Sequence, residues 1–421
     1  MTEITNMLKQ TYGFKDEVID LYNKVNSTIG NDFKEIEETA EYNQIKVLKA
    51  FADNRISATH FSSVNGYGYD DMGREAIDKV YAQVFGAEDA MVRHNIVSGT
   101  HALSLCLFGI LRPGDTVIAV SGKPYDTLEE AIGIRGEAGK GSLKDFGVKY
   151  KQVDLKDNGI DYDGIKKTVT PGTKMVMIQK SKGYDWRPSL TNADIEKICK
   201  TVKEIDENII CMVDNCYGEF TEKTEPTQHG ADIMAGSLIK NAGGGIVQTG
   251  GYVAGRADLV ELISYKLNSV GLGKECGATL GMNREFLLGF FIAPHVVSQA
   301  IKTAIFASKI FSEAGYEVNP LPGEKRTDII QAVKLGSAEK LIGFCQGIQG
   351  ASPVDSYVAP TPYAMPGYGD EIIMAAGAFT QGASIEISAD GPIKEPYTAY
   401  VQGGITYESG KIAILNALNN I

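Results

Sequence analysis

The chain has 421 residues, 43% of them hydrophobic, enough for a large core and more than one lobe. Its net charge is −12 and it has no clustered Lys/Arg tract. That excludes a partner held through a nucleic-acid backbone, because such binding needs a basic footprint to release counterions.

The start, "MTEITNMLKQ", lacks the basic region, apolar stretch and small-residue cleavage site of a secretory signal, so a cytoplasmic location is expected. Residues up to about Asn54 set apolar against charged positions at helical spacing, as in "FKEIEETAEYNQIKVLKAF", which predicts an N-terminal helical arm over residues 1–54. From Ala76 onward helical patterns alternate with short apolar, β-branched runs: "DTVIAVSG", "VKYKQVDL", "TKMVMIQKS", "NIICMVDN", "DIMAGSLIK" and "GGYVAG". Alternation of this kind implies an α/β fold, a mostly parallel sheet covered on both faces by helices, over residues 55–320.

"ALSLCLFGIL" and "FLLGFFIAPHVV" are too short, or too broken by Gly, Pro and His, for a membrane span and are expected to be buried helices. A long helical stretch from Asp258 to Gly315 is predicted to carry the chain onward. Past Pro320 the pattern changes to hairpin-linked strands with a packing helix, a smaller C-terminal α+β domain over residues 321–421. The six cysteines form no Cys-x-x-Cys pair and several sit inside apolar runs, so reduced thiols and no zinc site are expected.

In open parallel sheets ligands gather at the carboxyl ends of strands, so the residues just after the apolar runs carry the chemical information. "NIVSGTHALSL" sets Ser98, Gly99 and Thr100 before an apolar helix, whose free N–H groups and positive dipole end suit an anion, most plausibly phosphate. A plain Ser or Thr cap explains the same residues. A Ser98/His101 nucleophile pair is set aside, since the G-x-S-x-G elbow is missing.

Tyr125, in "SGKPYDTLEEAIG", stands at a loop-to-helix junction where its ring could lie on a planar ligand or be ordinary half-buried packing. Asp214 ends "IICMV", whose apolar neighbours would desolvate a lone carboxylate, so it needs a cationic partner: a metal, a ribose hydroxyl or a ring N–H⁺. No ligand cluster favours the metal, and no G-x-G-x-x-G precedes it for the ribose. Lys240 ends "DIMAGSLI" among small and apolar residues, where burial should lower its pKa and suit it to act as a nucleophilic amine. A surface lysine in a glycine-rich loop is the plainer alternative. Phosphate cradle, aromatic plate, acid for a ring nitrogen and Schiff-base lysine, in that order, together describe a pyridoxal 5′-phosphate (PLP) site.

"SGTHAL", "PYDT", "VDNCYGEF" and "GSLIKNAGG" resemble the fold-type-I PLP enzymes of the cysteine and methionine branch, which holds the cystathionine lyases and methionine γ-lyase. Within that branch the chain is most similar to the group labelled aluminium resistance proteins. The resemblance implies the fold-type-I PLP-dependent transferase fold, Lys240 as the Schiff-base lysine and proton shuttle, Asp214 on the pyridinium nitrogen and Tyr125 stacked on the ring. It also implies that Ser98, Gly99, Thr100 and Ser237 surround the phosphate. "NGYGYDDMGREAID" resembles the family segment that reaches a neighbouring subunit's site, which implies a homo-oligomer, dimer or tetramer, with Tyr67, Tyr69 and Arg74 at the partner's cofactor or substrate.

Two positions depart from the family pattern. Ile239 stands where the lyases usually carry a hydroxyl residue, and the arginine that clamps the substrate carboxylate has no counterpart near "SIEISADGP", so Arg326 is taken as its substitute by position. The activity implied is elimination of a β- or γ-thiol from a small sulfur amino acid. An aminotransferase or γ-replacement enzyme would use the same residues, and a non-catalytic binder of PLP or another phosphorylated ligand is the alternative of another class. A nucleotide loop at "GGGIVQTGG" is disfavoured, because its glycines run into a strand.

Overall fold

The computed structural model describes residues 3–365 and 368–421. The chain divides into two compact units, one comprising Tyr42–Gly183 and Arg187–Ala293, the other Met1–Glu41, Tyr184–Trp186 and Pro294–Ile421.

The first unit is built on β1 (Asp89–Arg93), β2 (Thr116–Ala119), β3 (Lys149–Gln152), β4 (Met175–Gln179), β5 (Ile210–Asp214), β6 (Ile233–Ser237) and β7 (Gly251–Gly255). They form one seven-stranded sheet in the order β1-β7-β6-β5-β4-β2-β3. Pairing is parallel from β3 to β6, whereas β7 runs antiparallel to both β1 and β6. The six runs picked out in the sequence are β2 to β7; β1, "DAMVR", was not among them, because a short run flanked by charges gives little alternation to read. The register sets Gln179 opposite Asp214 and Asp214 opposite Ala235, so the carboxyl ends of β4, β5 and β6 finish together.

One helix, Gly99–Ile110, lies close against this sheet. Ser98 caps it by accepting the His101 N–H at 3.1 Å, and it stops at Leu111, ahead of Pro113. Leu103, Leu107 and Ile110 join Met177, Met212, Ala235 and Val253 of the sheet, and Val260 and Ile263 of the helix Ala257–Leu267, in one buried cluster. Burial of each such aliphatic side chain stabilises by about 1.5–3 kcal/mol. The two helices meet at Gly109, where a Cβ would stand 2.9 Å from the Ile263 Cα; a larger residue would force them apart.

The continuous helix expected from Asp258 to Gly315 is two helices, Ala257–Leu267 and Asn283–Glu313, separated by a glycine-containing loop in which Gly271, Gly273, Gly277 and Gly281 all take positive φ. The second runs 31 residues, straight through Pro294. It extends well past the apolar run "FLLGFFIAPHVV" and is long and apolar enough to cross a membrane, but 72% of its most apolar window is buried inside the protein. In the first unit Phe290 from this helix stacks on Tyr81 at 3.7 Å between centroids and meets Phe85 and Phe220.

The second unit carries a five-stranded antiparallel sheet in the order β10-β11-β12-β9-β8, from β8 (Glu317–Asn319), β9 (Ile330–Lys334), β10 (Ile372–Ala375), β11 (Ser388–Pro392) and β12 (Thr398–Gln402). The helices Ala338–Gly350 and Tyr407–Asn419 accompany it, and the N-terminal helices Glu3–Tyr12 and Asp16–Asn26 belong to the same unit.

Candidate active site

The strand ends of β5 and β6 bring Asp214 and Lys240 into one electrostatic neighbourhood. Asp214 is half-buried, and its Oδ1 accepts the Cys216 N–H at 3.0 Å. Burial pushes its carboxyl above the ordinary range, and the Lys240 charge and the Cys216 N–H draw it back. Lys240 is half-buried too, with its Nζ 4.2 Å from the centroid of the Tyr217 ring, a cation–π contact. Among the described residues this ammonium makes no hydrogen bond or ion pair.

The charge state of Lys240 corrects the sequence reading. Burial does press the ammonium toward the neutral amine, but the negative field of Cys216, Tyr217, Asp214 and Glu219 outweighs it and leaves the pKa above the ordinary value. Burial keeps the Cys216 thiol protonated to high pH, so near neutrality the field is carried chiefly by carboxylate, with Asp214 the clearest source. The sequence argument counted the apolar run before Lys240 and left out the acids folded around it.

Gly99 sits at the same place. A Cβ there would stand 3.0 Å from Cys216 Sγ, 3.5 Å from Ser237 Cβ and 3.9 Å from Lys240 Nζ, so the start of the capped helix, the end of β6 and the lysine converge on it. Ser237 is 1% exposed, and its Oγ is buried without a hydrogen-bond partner. Such an atom costs about 1–3 kcal/mol unless something accepts or donates to it. Ser98 Oγ is already engaged as the cap. The Thr100 hydroxyl bonds that of Thr127 at 2.6 Å, which ties this helix start to the helix Asp126–Ile132. Tyr125 is half-buried at the N-terminus of that helix, and Gly183 lies beside its ring, where a Cβ would come 3.5 Å from Cδ2. Helix N-terminus, unpaired hydroxyl and ammonium together make a site for an anionic group.

Three nearby residues escaped the sequence reading. Tyr217, Cys216 and Glu219 all lie in the turn after β5, and the signal for them was their place within "VDNCYGEF". Tyr217 and Phe220 take left-handed φ of 70° and 62°, a strained choice for aromatic residues.

Tyr67 and Tyr69 are 72% and 53% exposed and stack on each other at 5.7 Å. Arg74 is buried and donates to the carbonyls of Gly68, Gly277 and Glu275 at 2.7–2.9 Å. It borders a cavity of about 290 Å³ that Tyr67, Arg93, His94 and Lys274 also line. In the second unit Arg326 is buried, gives one nitrogen to Gln331 Oε1 at 2.5 Å and keeps Nη1 without a partner. Burial lowers its guanidinium to about 10 while Asp328 and Glu324 draw it back up.

Residues 18–421 match the family model for methionine gamma-lyase. The chain is 52% identical over 399 residues to the uncharacterized protein YnbB of Bacillus subtilis, covering 94% of this chain and 95% of that one. A carbon–sulfur lyase involved in aluminum resistance from Clostridium novyi has a solved structure that matches with a TM-score of 0.95 at 50% identity, over 100% of this chain and 99% of the other. The L-methionine gamma-lyase of Treponema denticola is 25% identical over 225 residues, 53% of this chain and 51% of that enzyme.

Proposed function

Since the chain belongs to the methionine gamma-lyase family, we propose that it is a PLP-dependent carbon–sulfur lyase that eliminates a β- or γ-thiol from a sulfur amino acid of the cystathionine, methionine or cysteine type. The observation that carries this reading is the convergence of Lys240, Cys216 and Ser237, whose hydroxyl is unpartnered among the described residues, around Gly99, with Asp214 in the field of the lysine.

The residues present fit PLP. Ser237 Oγ lacks a partner that a phosphate oxygen would supply, and Gly99 leaves open the space that a side chain would fill. The Gly99 and Thr100 N–H groups, in the first turn of their helix, add donors and the positive dipole end. When bound, PLP supplies an aldehyde for amines and a pyridinium ring that withdraws electrons from the substrate α-carbon.

This chain's own groups do the rest. Lys240 Nζ is the amine that holds the aldehyde and, once released, takes the α-proton and returns it to the leaving side of the substrate. Asp214, held by the Cys216 N–H and thiol, keeps a proton on the ring nitrogen by its negative charge. Tyr125 covers the ring, and the Tyr217 ring holds the Lys240 ammonium within reach. Arg326, with Nη1 buried and unpaired, is the proposed clamp for the substrate carboxylate. The exposed pair Tyr67 and Tyr69 is proposed to reach the site of a second copy, with Arg74 bracing their loop through the three carbonyls it binds.

The test is to incubate purified protein and PLP with cystathionine, methionine or cysteine, and to measure ammonia, 2-oxo acid and thiol. Release of all three in equal amounts is expected. Transfer of the amino group to an added 2-oxo acid without ammonia would make it an aminotransferase instead, and no product from any amino acid would leave a binding protein.

A further inference from the structure

Behind Lys240 lies a buried polar cluster that the lyase reading does not use. Glu219 is 0% exposed; its Oε1 accepts the Tyr252 hydroxyl at 2.8 Å, and its Oε2 has no partner. Asn215 Nδ2 donates to Glu225 Oε2 at 3.0 Å and lies 3.4 Å from the Tyr252 hydroxyl. The Glu219 carbonyl accepts Asn241 Nδ2 at 3.0 Å, and Asn241 is the residue directly after Lys240. On the other side, a Cβ at Gly236 would stand 2.6 Å from Glu219 Oε1 and 2.7 Å from the Tyr252 hydroxyl.

Glu219 therefore touches the lysine-bearing segment both before and after the lysine. It also sits between Tyr217 and Phe220, the two residues held at left-handed φ. Strained conformers of this kind persist only where neighbouring structure holds them.

We propose that Glu219 is a positioning residue of the Lys240 site, clamping the Tyr217–Phe220 turn to the strand end that carries the lysine and setting, by its charge state, how readily the lysine amine is freed. The inference rests on the reading of Lys240 as the reactive amine.

The groups facing Glu219 make the second part specific. Tyr252 comes from β7, Tyr81 from the helix Met72–Phe85, Lys240 from the segment after β6, and Cys216 and Glu225 from its own stretch of chain. Burial lifts the carboxyl to about 8, against its own N–H, the Tyr252 hydroxyl and Lys240, while Glu225 adds to the rise. Near neutral pH Glu219 thus carries its proton. Above that value it adds a negative charge that holds Lys240 as ammonium, and a residue that cannot ionise frees the amine at lower pH.

The experiment maps labelling at Lys240 by mass spectrometry from about pH 6.5 to 10 in the wild type, Glu219→Gln and Tyr252→Phe. One probe is formaldehyde with cyanoborohydride, the other PLP with borohydride. Glu219→Gln is expected to label at Lys240 roughly threefold or more faster than wild type near pH 9 with formaldehyde, its profile displaced to lower pH. Tyr252→Phe, which takes a donor from the carboxylate and so keeps Glu219 protonated to higher pH, moves the profile the same way by less, and the exposed lysines keep theirs. A Lys240 profile identical to wild type in a folded variant of either kind would overturn the proposal. Failure of PLP to label Lys240 in the wild type would sink the cofactor reading alone, since the formaldehyde profiles still decide the role of Glu219.

Discussion

Lys180 and Lys240 follow two strands of the same sheet, β4 and β6, yet the fold treats them in opposite ways. Lys180 is 0% exposed, and its ammonium bonds Asn192 Oδ1 at 2.8 Å and Glu222 Oε2 at 3.2 Å. Lys240 has acids in its field but no hydrogen bond or ion pair among the described residues, only the Tyr217 ring beneath it. A structural lysine has its donors spent on fixed partners. A lysine meant for chemistry keeps them available, with space in front of it and charge around it.

Exchanging the two roles gives the largest effect. Lys240→Ala should cost on the order of 10³-fold or more in elimination rate with little change in stability. Lys180→Ala should cost about 2–4 kcal/mol in stability, because it empties a buried site and takes the cation from Asn192 and Glu222, while folded protein still takes PLP at Lys240. Denaturant titration beside a turnover assay checks both, and a Lys180 variant inactive yet fully stable would erase the distinction.

Asp214→Asn comes next, with an expected fall of about 10²-fold in kcat and a smaller change in KM, since the carboxylate acts on charge that develops during reaction. Steady-state kinetics decide; a change confined to KM would make Asp214 a binding group only.

Glu219 sharpens the comparison through pH. Its carboxyl titrates near 8 in the folded chain against an ordinary value of 4.5. The folded state therefore binds more protons than the unfolded chain between these values. Stability from this group is full below about pH 4.5 and is lost as pH rises toward 8, by up to about 1.4 kcal/mol per pH unit. Glu219→Gln should remove that slope, which unfolding midpoints at pH 5.5 and 7.5, both approximately placed within the window, would show. Parallel slopes in the two proteins would mean that Glu219 ionises normally.

The smallest effect belongs to Ser237. Ser237→Ala should weaken PLP binding about fivefold, roughly 1 kcal/mol, and leave the stability of the cofactor-free protein within about 0.5 kcal/mol, because its Oγ bonds nothing among the described residues. Fluorescence titration with PLP measures the first and thermal unfolding the second.

What was legible in the sequence follows the same division. Asp214 and Lys240 stood out because each ends an apolar run, and parallel strands put such ends on one edge of the sheet. The order of "SGTHAL", "PYDT", "VDNCYGEF" and "GSLIKNAGG" added the family. The antiparallel β7 beside β6 was not legible, because neighbours in a sheet are chosen by packing over the whole domain. Glu219 was hidden for the same reason: its partner Tyr252 lies 33 residues away on β7, and its contact with Gly236 exists only once β5 and β6 pair. The direction of the Lys240 shift was lost because burial could be counted from local residues, whereas the opposing field of Cys216, Tyr217, Asp214 and Glu219 needed the fold.

The most direct test of the account is peptide mapping after borohydride reduction of the protein saturated with PLP. The account predicts one pyridoxyl group per chain, on Lys240, and none in Lys240→Ala. A label on Lys180 or on a surface lysine, or no stable label, would contradict it.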